Sequence, residues 1–472
     1  MDRVLKQLNA VVWGIPSVLL ILGVGIYLSI RTGFAQIWLF PRAVKDFWAR
    51  LFIRKSNTNG VSSYQAFCTA LAATVGTGNL AGVAGAIAIG GPGALFWMWI
   101  CAFFGMITKY AEAVLAVRYR VKNAIGEWMA GPMYVMERGL GKKWRFMAGI
   151  YAFFGVVAAF GVGNATQINA VIGGFNSMLT YLGFEASRYQ NLAVGLIIAI
   201  LIGLVLLGGQ SKIGRFTEKL VPAASIFYLV ICFGVLIVCY KRIPNAFSSI
   251  IYGAFHPKAA TGGVVGSFIV SLRTGTSRGV FTNEAGMGTA GIAHGSAQVK
   301  HPTEQGLFGI MEVFLDTVVI CTMTALVILC SGITIPYGLD EGILLTSRAF
   351  SSVYGSWITI PISLCVCTLA LATVLGWGLY GGRCAQYLFG EKVWKRFCIM
   401  QIGTVILGSL LGTGTVWLLA ELVNGLMAIP NLIALAMLTG EVCKITNEYK
   451  NRPSKGAVKK KLNRGVRILS SK

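Results

Sequence analysis

Charge is scarce in this chain. Of 472 residues only 12% are Asp, Glu, Lys or Arg, the acidic ones number 17, and there are three histidines. A soluble domain carries about a quarter charged residues, so a soluble globular fold is excluded. His256, His294 and His301 are scattered; with no HExxH, no Walker A and no close His and Cys cluster, zinc hydrolysis and nucleotide hydrolysis lack the residues they need. No Asp or Glu lies between Gly78 and Glu112. That removes the acid a dinucleotide site needs about 20 residues after its glycine fingerprint, so Gly76-x-Gly78-x-x-Ala81 is not such a site. No polar block between residues 11 and 442 is large enough for a separate soluble domain. An enzyme is not expected.

Apolar sequence fills the space. The chain is 55% hydrophobic, with a mean hydropathy of +0.70, and apolar stretches of spanning length, about 20 residues, recur along it. The expected fold is an all-α polytopic membrane protein of about eleven transmembrane helices. The first stretch, 11–30, follows only Arg3 and Lys6 without a small-residue cleavage site, and is expected to be a retained helix. The net charge of +24 reports topology rather than nucleic acid: with the N-terminus outside, most Lys and Arg fall on the cytoplasmic side. The expected location is the plasma (inner) membrane, multi-pass, with a basic cytoplasmic tail at 443–472 whose Lys459-Lys460-Lys461 run is within reach of anionic lipid.

Two stretches break the pattern. Phe67 to Pro92 is long enough to cross, yet Gly76 and Gly78 sit at its middle, and a helix broken at that depth is tolerable only where its freed backbone groups face protein, water or a ligand. From Gly262 to Ala297 the chain turns from apolar to crowded with Gly275, Arg278, Gly279, Asn283, Glu284, Gly286 and Gly288. A second broken helix there keeps the alternation of sides downstream. With the first span set aside, ten remain. They divide into five and five, repeat one at 61–240 and repeat two at 262–442, each opening on a broken helix; an odd number per half makes the repeats inverted. Residues 1–442 then form one transporter domain.

Several polar residues at membrane depth call for partners. Lys109 and Glu112, three apart, are expected to neutralise one another. Glu312 and Asp316, four apart, repel, and are expected either to seek Arg partners such as Arg273 or Arg278 or to have one of the two protonated. Asn164 and Gln167 share a helical face, and both helix-to-helix hydrogen bonding and substrate contact remain open. Lys212 and Arg215 are read as a loop between spans at 192–207 and 221–240, the last two spans as 397–418 and 419–442, and Pro430 with Asn431 as a kink in the last.

The first break has the chemistry of a zwitterion site. The half-helix ending near Val75 leaves carbonyl oxygens suited to a monovalent cation, whereas the N–H groups of Thr77 and Gly78 lie at the positive end of the next half-helix and suit a carboxylate. Glycine allows the backbone angles and lets the ligand approach. The Gly78-x-x-x-Gly82 spacing also fits close helix packing alone.

These residues carry a resemblance. TALAATVGTGNLAGVAGAIAIGGPGALFWMW (69–99), RGVFTNEAGMGTAGIAH (278–294), EVFLDTVVICTMTALVIL (312–329) and NGLMAIPNLIAL (424–435) resemble the alanine or glycine:cation symporters, sodium–amino acid symporters related to the LeuT fold. The resemblance implies a LeuT-like 5+5 inverted repeat preceded by one extra helix. It also implies secondary active uptake of a small neutral amino acid, alanine or glycine and including D-alanine, with Na+ as coupling ion and no other cofactor. It would put the substrate at Gly76, Thr77, Gly78, Asn79, Gln167, Gly279, Phe281 and Trp377, with the indole of Trp377 leaving room for little beyond a methyl. Na+ would lie among the carbonyls of Ala72 and Val75 and the hydroxyl of Thr373. Two departures stand out: Ala372 precedes Thr373 where the family has Ser, which removes one side-chain oxygen, and Gly288-Thr289-Ala290-Gly291 replaces Gly-Ser-Ala-Pro. The rival readings are a proton-coupled carrier of the same fold and, further off, a channel or an integral-membrane enzyme.

Overall fold

A computed structural model describes residues 2–52, 60–265, 267–410 and 414–451. Helices dominate it, and the sheet among these residues is one short hairpin pairing Val121–Lys122 with Trp128–Met129. Helix starts follow local chemistry. Ser62 and Ser187 each form a reciprocal capping box with Gln65 and Gln190, Ser267 caps Phe268–Asn283, and His301 with Pro302 opens Pro302–Val313. Each satisfies an N–H that the first turn leaves without an intrahelical partner.

Among the described residues six helices are long and apolar enough to cross a membrane, or up to eight if each sharply bent pair is one span. The expected count of eleven is therefore not reached on length and composition. One reason is that Ile15–Arg31 has only 17 residues, about 25 Å at 1.5 Å per residue. Both broken helices are present. Ser63–Thr74 and Gly78–Gly90 meet at a 50° bend; Phe268–Asn283 and Thr289–His294 are separated by residues 284–288. The first broken helix lies against Gly209–Val238 and Thr359–Phe389, the second against Ala94–Tyr119. By contrast, Arg188–Leu206 and Gly209–Val238 leave most of their apolar windows uncovered, with Ile197, Ile200, Ile226 and Val230 exposed.

Several boundaries differ from expectation. Lys212 and Arg215 belong to Gly209–Val238 rather than to a loop, because the helix starts at the turn glycines Gly208 and Gly209 and their side chains sit in its first turns. The last two long helices run Trp394–Gly408 and Gly414–Met437, so the turn falls earlier than the apolar pattern places it. The 60° bend in the final pair is at Leu438, not at Pro430, which sits inside Gly414–Met437. The expected tail begins instead as a packed helix, Thr439–Lys450, whose Thr446 shares a hydrogen bond with Tyr110 at 2.8 Å. The Lys459–Lys461 run lies outside the described residues.

The second broken helix approaches Ala94–Tyr119 through small residues. A Cβ on Gly275 would collide with the carbonyl of Ala94 and the Cβ of Trp97, so the two backbones touch only because position 275 has no side chain. Gly275→Val should cost about 1–3 kcal/mol through overpacking, read as a lower midpoint in thermal unfolding of the detergent-solubilised protein.

Candidate substrate and ion site

The first break starts where the helical ladder stops. Val75 N–H still reaches Leu71 O at 2.8 Å, but Val75 itself is extended, with ψ of 99°, which turns its carbonyl off the helix axis. The next N–H, on Gly76, is taken by the Asn79 side-chain oxygen at 2.9 Å. The chain then re-enters helix in wide π-type turns, Gly78–Gly82, before Val83–Gly90. The N–H groups of Thr77 and Gly78 have no protein acceptor among the described residues.

A cavity of about 720 Å³ ends on this segment. Thr77, Gly78 and Phe281 line it, with Thr166, Asn169 and Gly173 along one wall and Arg278, Asp340 and Glu421 toward the far end. Arg278 holds Asp340 at 3.0 Å and Glu421 at 3.3 Å. At the opposite end of the molecule Arg383 joins Glu127 at 2.9 Å and Gln210 at 2.6 Å.

Five of the eight expected substrate residues do not line this cavity, and each has another occupation. Asn79 is fully buried and spends its amide on Gly76 and on Asp316, at 2.6 Å, because a freed N–H at depth needs an acceptor before any ligand does. Gln167 accepts from the Thr77 hydroxyl at 3.2 Å and donates to Val162 O at 3.1 Å. Gly76 stands behind the segment; a Cβ there would be 2.6 Å from the Thr373 hydroxyl oxygen. Gly279 faces Cys101 and Met98 and serves packing. Trp377 is buried with its indole N–H on Glu284 at 3.0 Å and is not among the residues that line this cavity.

Of the three expected ion ligands, two meet. The Thr373 hydroxyl lies 3.0 Å from Ala72 O and 3.1 Å from Leu369 O, and the absent side chain of Gly76 is what admits it. Ala372 is buried and brings no side-chain oxygen.

The second break is held by residues the sequence pairs differently. Glu284, Gly286 and Gly288 have φ of 54°, 96° and 79°, a left-handed path. One oxygen of Glu112 accepts from the N–H groups of Gly286 at 2.9 Å and Gly288 at 3.0 Å and from the amide of Asn431 at 2.8 Å. Glu284 accepts from Thr289 at 2.6 Å as well as from Trp377. Lys109, expected to neutralise Glu112, is instead 3.3 Å from Glu312, which His294 also reaches at 2.7 Å. Arg273 is exposed and Arg278 faces the cavity, so neither serves Glu312 or Asp316. Asn164 takes the helix-to-helix option, bonding the carbonyl and side chain of Gln401. The sequence Gly275-Thr276-Ser277-Arg278-Gly279 formally fits the hydrolase GxSxG pattern, but it lies inside one continuous helix rather than on the strand-to-helix elbow that chemistry requires. The roles of Glu112, Asp316 and Asn431 were missed; the available signal was only that ionisable groups at membrane depth are functional by default.

Two outcomes follow. Glu112→Ala strands three donors, at about 1–3 kcal/mol each, and should lower stability by at least about 3 kcal/mol, with Glu112→Gln recovering much of it. Lys109→Met leaves Glu312 without its cation and should cost about 3–5 kcal/mol; adding Glu312→Leu should relieve it. Thermal unfolding of the purified variants checks both.

Comparison with known proteins supplies the family and the fold. The sodium:alanine symporter family matches residues 1–463. The chain is 40% identical to the sodium/alanine symporter AgcS of Methanococcus maripaludis over 462 residues, covering 96% of this chain and 98% of that protein. It is 35% identical to a Bacillus subtilis protein described as "Probable sodium/glutamine symporter GlnT", over 97% of this chain and 92% of that one. In structure it is similar to MhsT, solved in complex with L-phenylalanine, with a TM-score of 0.56, 15% identity, and coverage of 82% of this chain and 99% of that one. The fold is the LeuT-like one expected, in a membrane-spanning transporter rather than an enzyme. The chain belongs to the sodium:alanine symporter family.

Proposed function

We propose that this protein takes up a small neutral amino acid, alanine or glycine and including D-alanine, together with Na+ by alternating access. The observation that carries the reading lies at the cavity wall: the first helical residues after the break at Val75 and Gly76, Thr77 and Gly78, have N–H groups without a protein acceptor among the described residues, beside Phe281. The substrate carboxylate takes those N–H groups, at the positive end of the following half-helix. Na+ binds behind them among the carbonyls of Ala72 and Val75 and the hydroxyl of Thr373, and its charge favours the carboxylate next to it. Each ligand therefore stabilises the other's site, which is reciprocal coupling. Asn79, Gln167 and Gly76 act as the frame of the site rather than its surface, and Trp377 fixes Glu284 at the second break.

The protein sits in the inner membrane with its N-terminus outside and its C-terminus in the cytoplasm, and it is built of repeats 61–240 and 262–442. Most Lys and Arg then lie inside. In that orientation the cavity runs outward from the break to Asp340, while the Arg383–Glu127 pair closes the inner end. Its exposed apolar faces meet lipid.

A proton-coupled carrier of the same fold is the second reading, favoured by Ala372, which leaves Thr373 as the lone side-chain oxygen of the expected ion site. Uptake of labelled alanine, glycine and serine into proteoliposomes separates the two. Replacing external Na+ by choline at a fixed pH gradient should abolish uptake under the sodium reading and spare it under the other. Thr373→Ala should raise the Na+ concentration for half-maximal uptake at least about tenfold, the equivalent of about 1.4 kcal/mol; an unchanged value would remove Thr373 from the site.

A further inference from the structure

Asp316 is buried in the middle of the molecule, on the wide-turned segment Phe314–Cys321. It forms no ion pair among the described residues, since Lys109 is engaged with Glu312. Yet it sits at the meeting point of two hydrogen-bonded chains. From the first break, Gly76 N–H donates to Asn79 at 2.9 Å, and Asn79 donates to Asp316 Oδ1 at 2.6 Å. From the second, Ala285 N–H donates to Asn283 at 2.9 Å, Asn283 to the Thr317 hydroxyl at 3.1 Å, and Thr317 to Asp316 Oδ2 at 2.8 Å. Asn79, Asn283, Asp316 and Thr317 are all fully buried.

Every hydrogen in this series points toward the carboxylate. The two breaks, more than 200 residues apart in sequence, thus end on the two oxygens of one side chain. Bonds arranged head to tail polarise one another, and in a low-dielectric interior the polarisation is not screened away. An amide that donates to an anion becomes a better acceptor at its other end, so a negative charge on Asp316 strengthens the caps on Gly76 and Ala285 together. The wider turns of Phe314–Cys321 serve this arrangement: π-type turns displace side chains from the ordinary helical face and recur at functional sites.

We propose that Asp316 is a positioning residue that couples the two unwound segments, so that they loosen and tighten together during transport. It does not line the cavity, and it acts through Asn79 and Thr317. Loss of its charge leaves each break capped by a weaker neutral bond and free to move without the other.

Hydrogen exchange measured by mass spectrometry on the full-length purified protein tests this, comparing wild type with Asp316→Asn and Asn283→Ala. Asp316→Asn keeps the shape and should speed exchange at least fivefold in both 75–79 and 284–288. Asn283→Ala should speed exchange in 75–79 by at least threefold, although none of its hydrogen bonds reaches that segment. Since a buried variant can fail to fold, each is first matched to wild type by size exclusion and thermal midpoint; where one fails, the other alone decides. Acceleration confined to the segment each residue directly contacts would overturn the coupling. A second arm, alanine uptake into proteoliposomes, rests on the transport reading: Asp316→Asn should lower maximal uptake at least tenfold while KM for alanine changes less than threefold. A tenfold shift in sodium dependence with unchanged exchange in 284–288 would make Asp316 an ion ligand and overturn the proposal. Wild type lacking uptake would defeat the transport reading and leave the exchange result standing.

Discussion

A backbone N–H or C=O released from a helix inside a membrane must find a partner, and the rest of this structure is arranged around that demand. Each release costs several kcal/mol if unanswered. The chain meets the demand twice with acceptors from polar side chains. At the first break the answer is local: Asn79 folds back three residues to Gly76. At the second it comes from another helix, through Glu112, with Asn431 from a third element completing the set. What remains open at Thr77 and Gly78 is therefore confined to the groups that face the cavity. Within 75–79, among the described residues, those two are the backbone N–H groups left without a protein acceptor.

The same demand accounts for the charge pattern of the interior. Four buried carboxylates, Glu112, Glu284, Glu312 and Asp316, sit near the two breaks with Lys109 and His294 among them. Glu112, Glu284 and Asp316 each accept from at least two donors, while Glu312 is held by one hydrogen bond with His294 and the ion pair with Lys109. A buried charge persists only when hydrogen bonds or an opposite charge compensate it, and here amides, hydroxyls and an indole carry most of that compensation. Basic residues were not required at every acid, which is why pairing by sequence proximity was a poor guide.

Much of the architecture was readable beforehand. Apolar runs of spanning length and two runs interrupted by glycine are local features, and they fold as local chemistry dictates. The site was legible only in part. Thr77, Gly78 and Phe281 reach the cavity, and Thr373 meets Ala72, because glycine at 76 permits one approach. Asn79 and Trp377 have partners the sequence did not show, Asp316 and Glu284, because a sequence shows that a polar group is present at depth but not which neighbour claims it. Lys109 illustrates the same limit, since the three-residue spacing to Glu112 puts both on one face, yet the partner that won was Glu312 on Pro302–Val313. Boundaries failed where apolar residues continued across a turn, as at 409–410, or where a helix began with charged turns, as at Lys212.

Asp340, Glu341 and Glu421 stand with Arg278 on one rim of the cavity, where Arg278 pairs with Asp340 and Glu421 and Arg348 pairs with Glu341. Low-dielectric walls focus the field of such a rim. Three acids against two guanidiniums leave a weakly negative field, which sorts small ions by sign near that rim. That sorting fades as ionic strength rises and the screening length falls below about 10 Å, which makes the approach, rather than the bound state, the salt-sensitive part of the molecule.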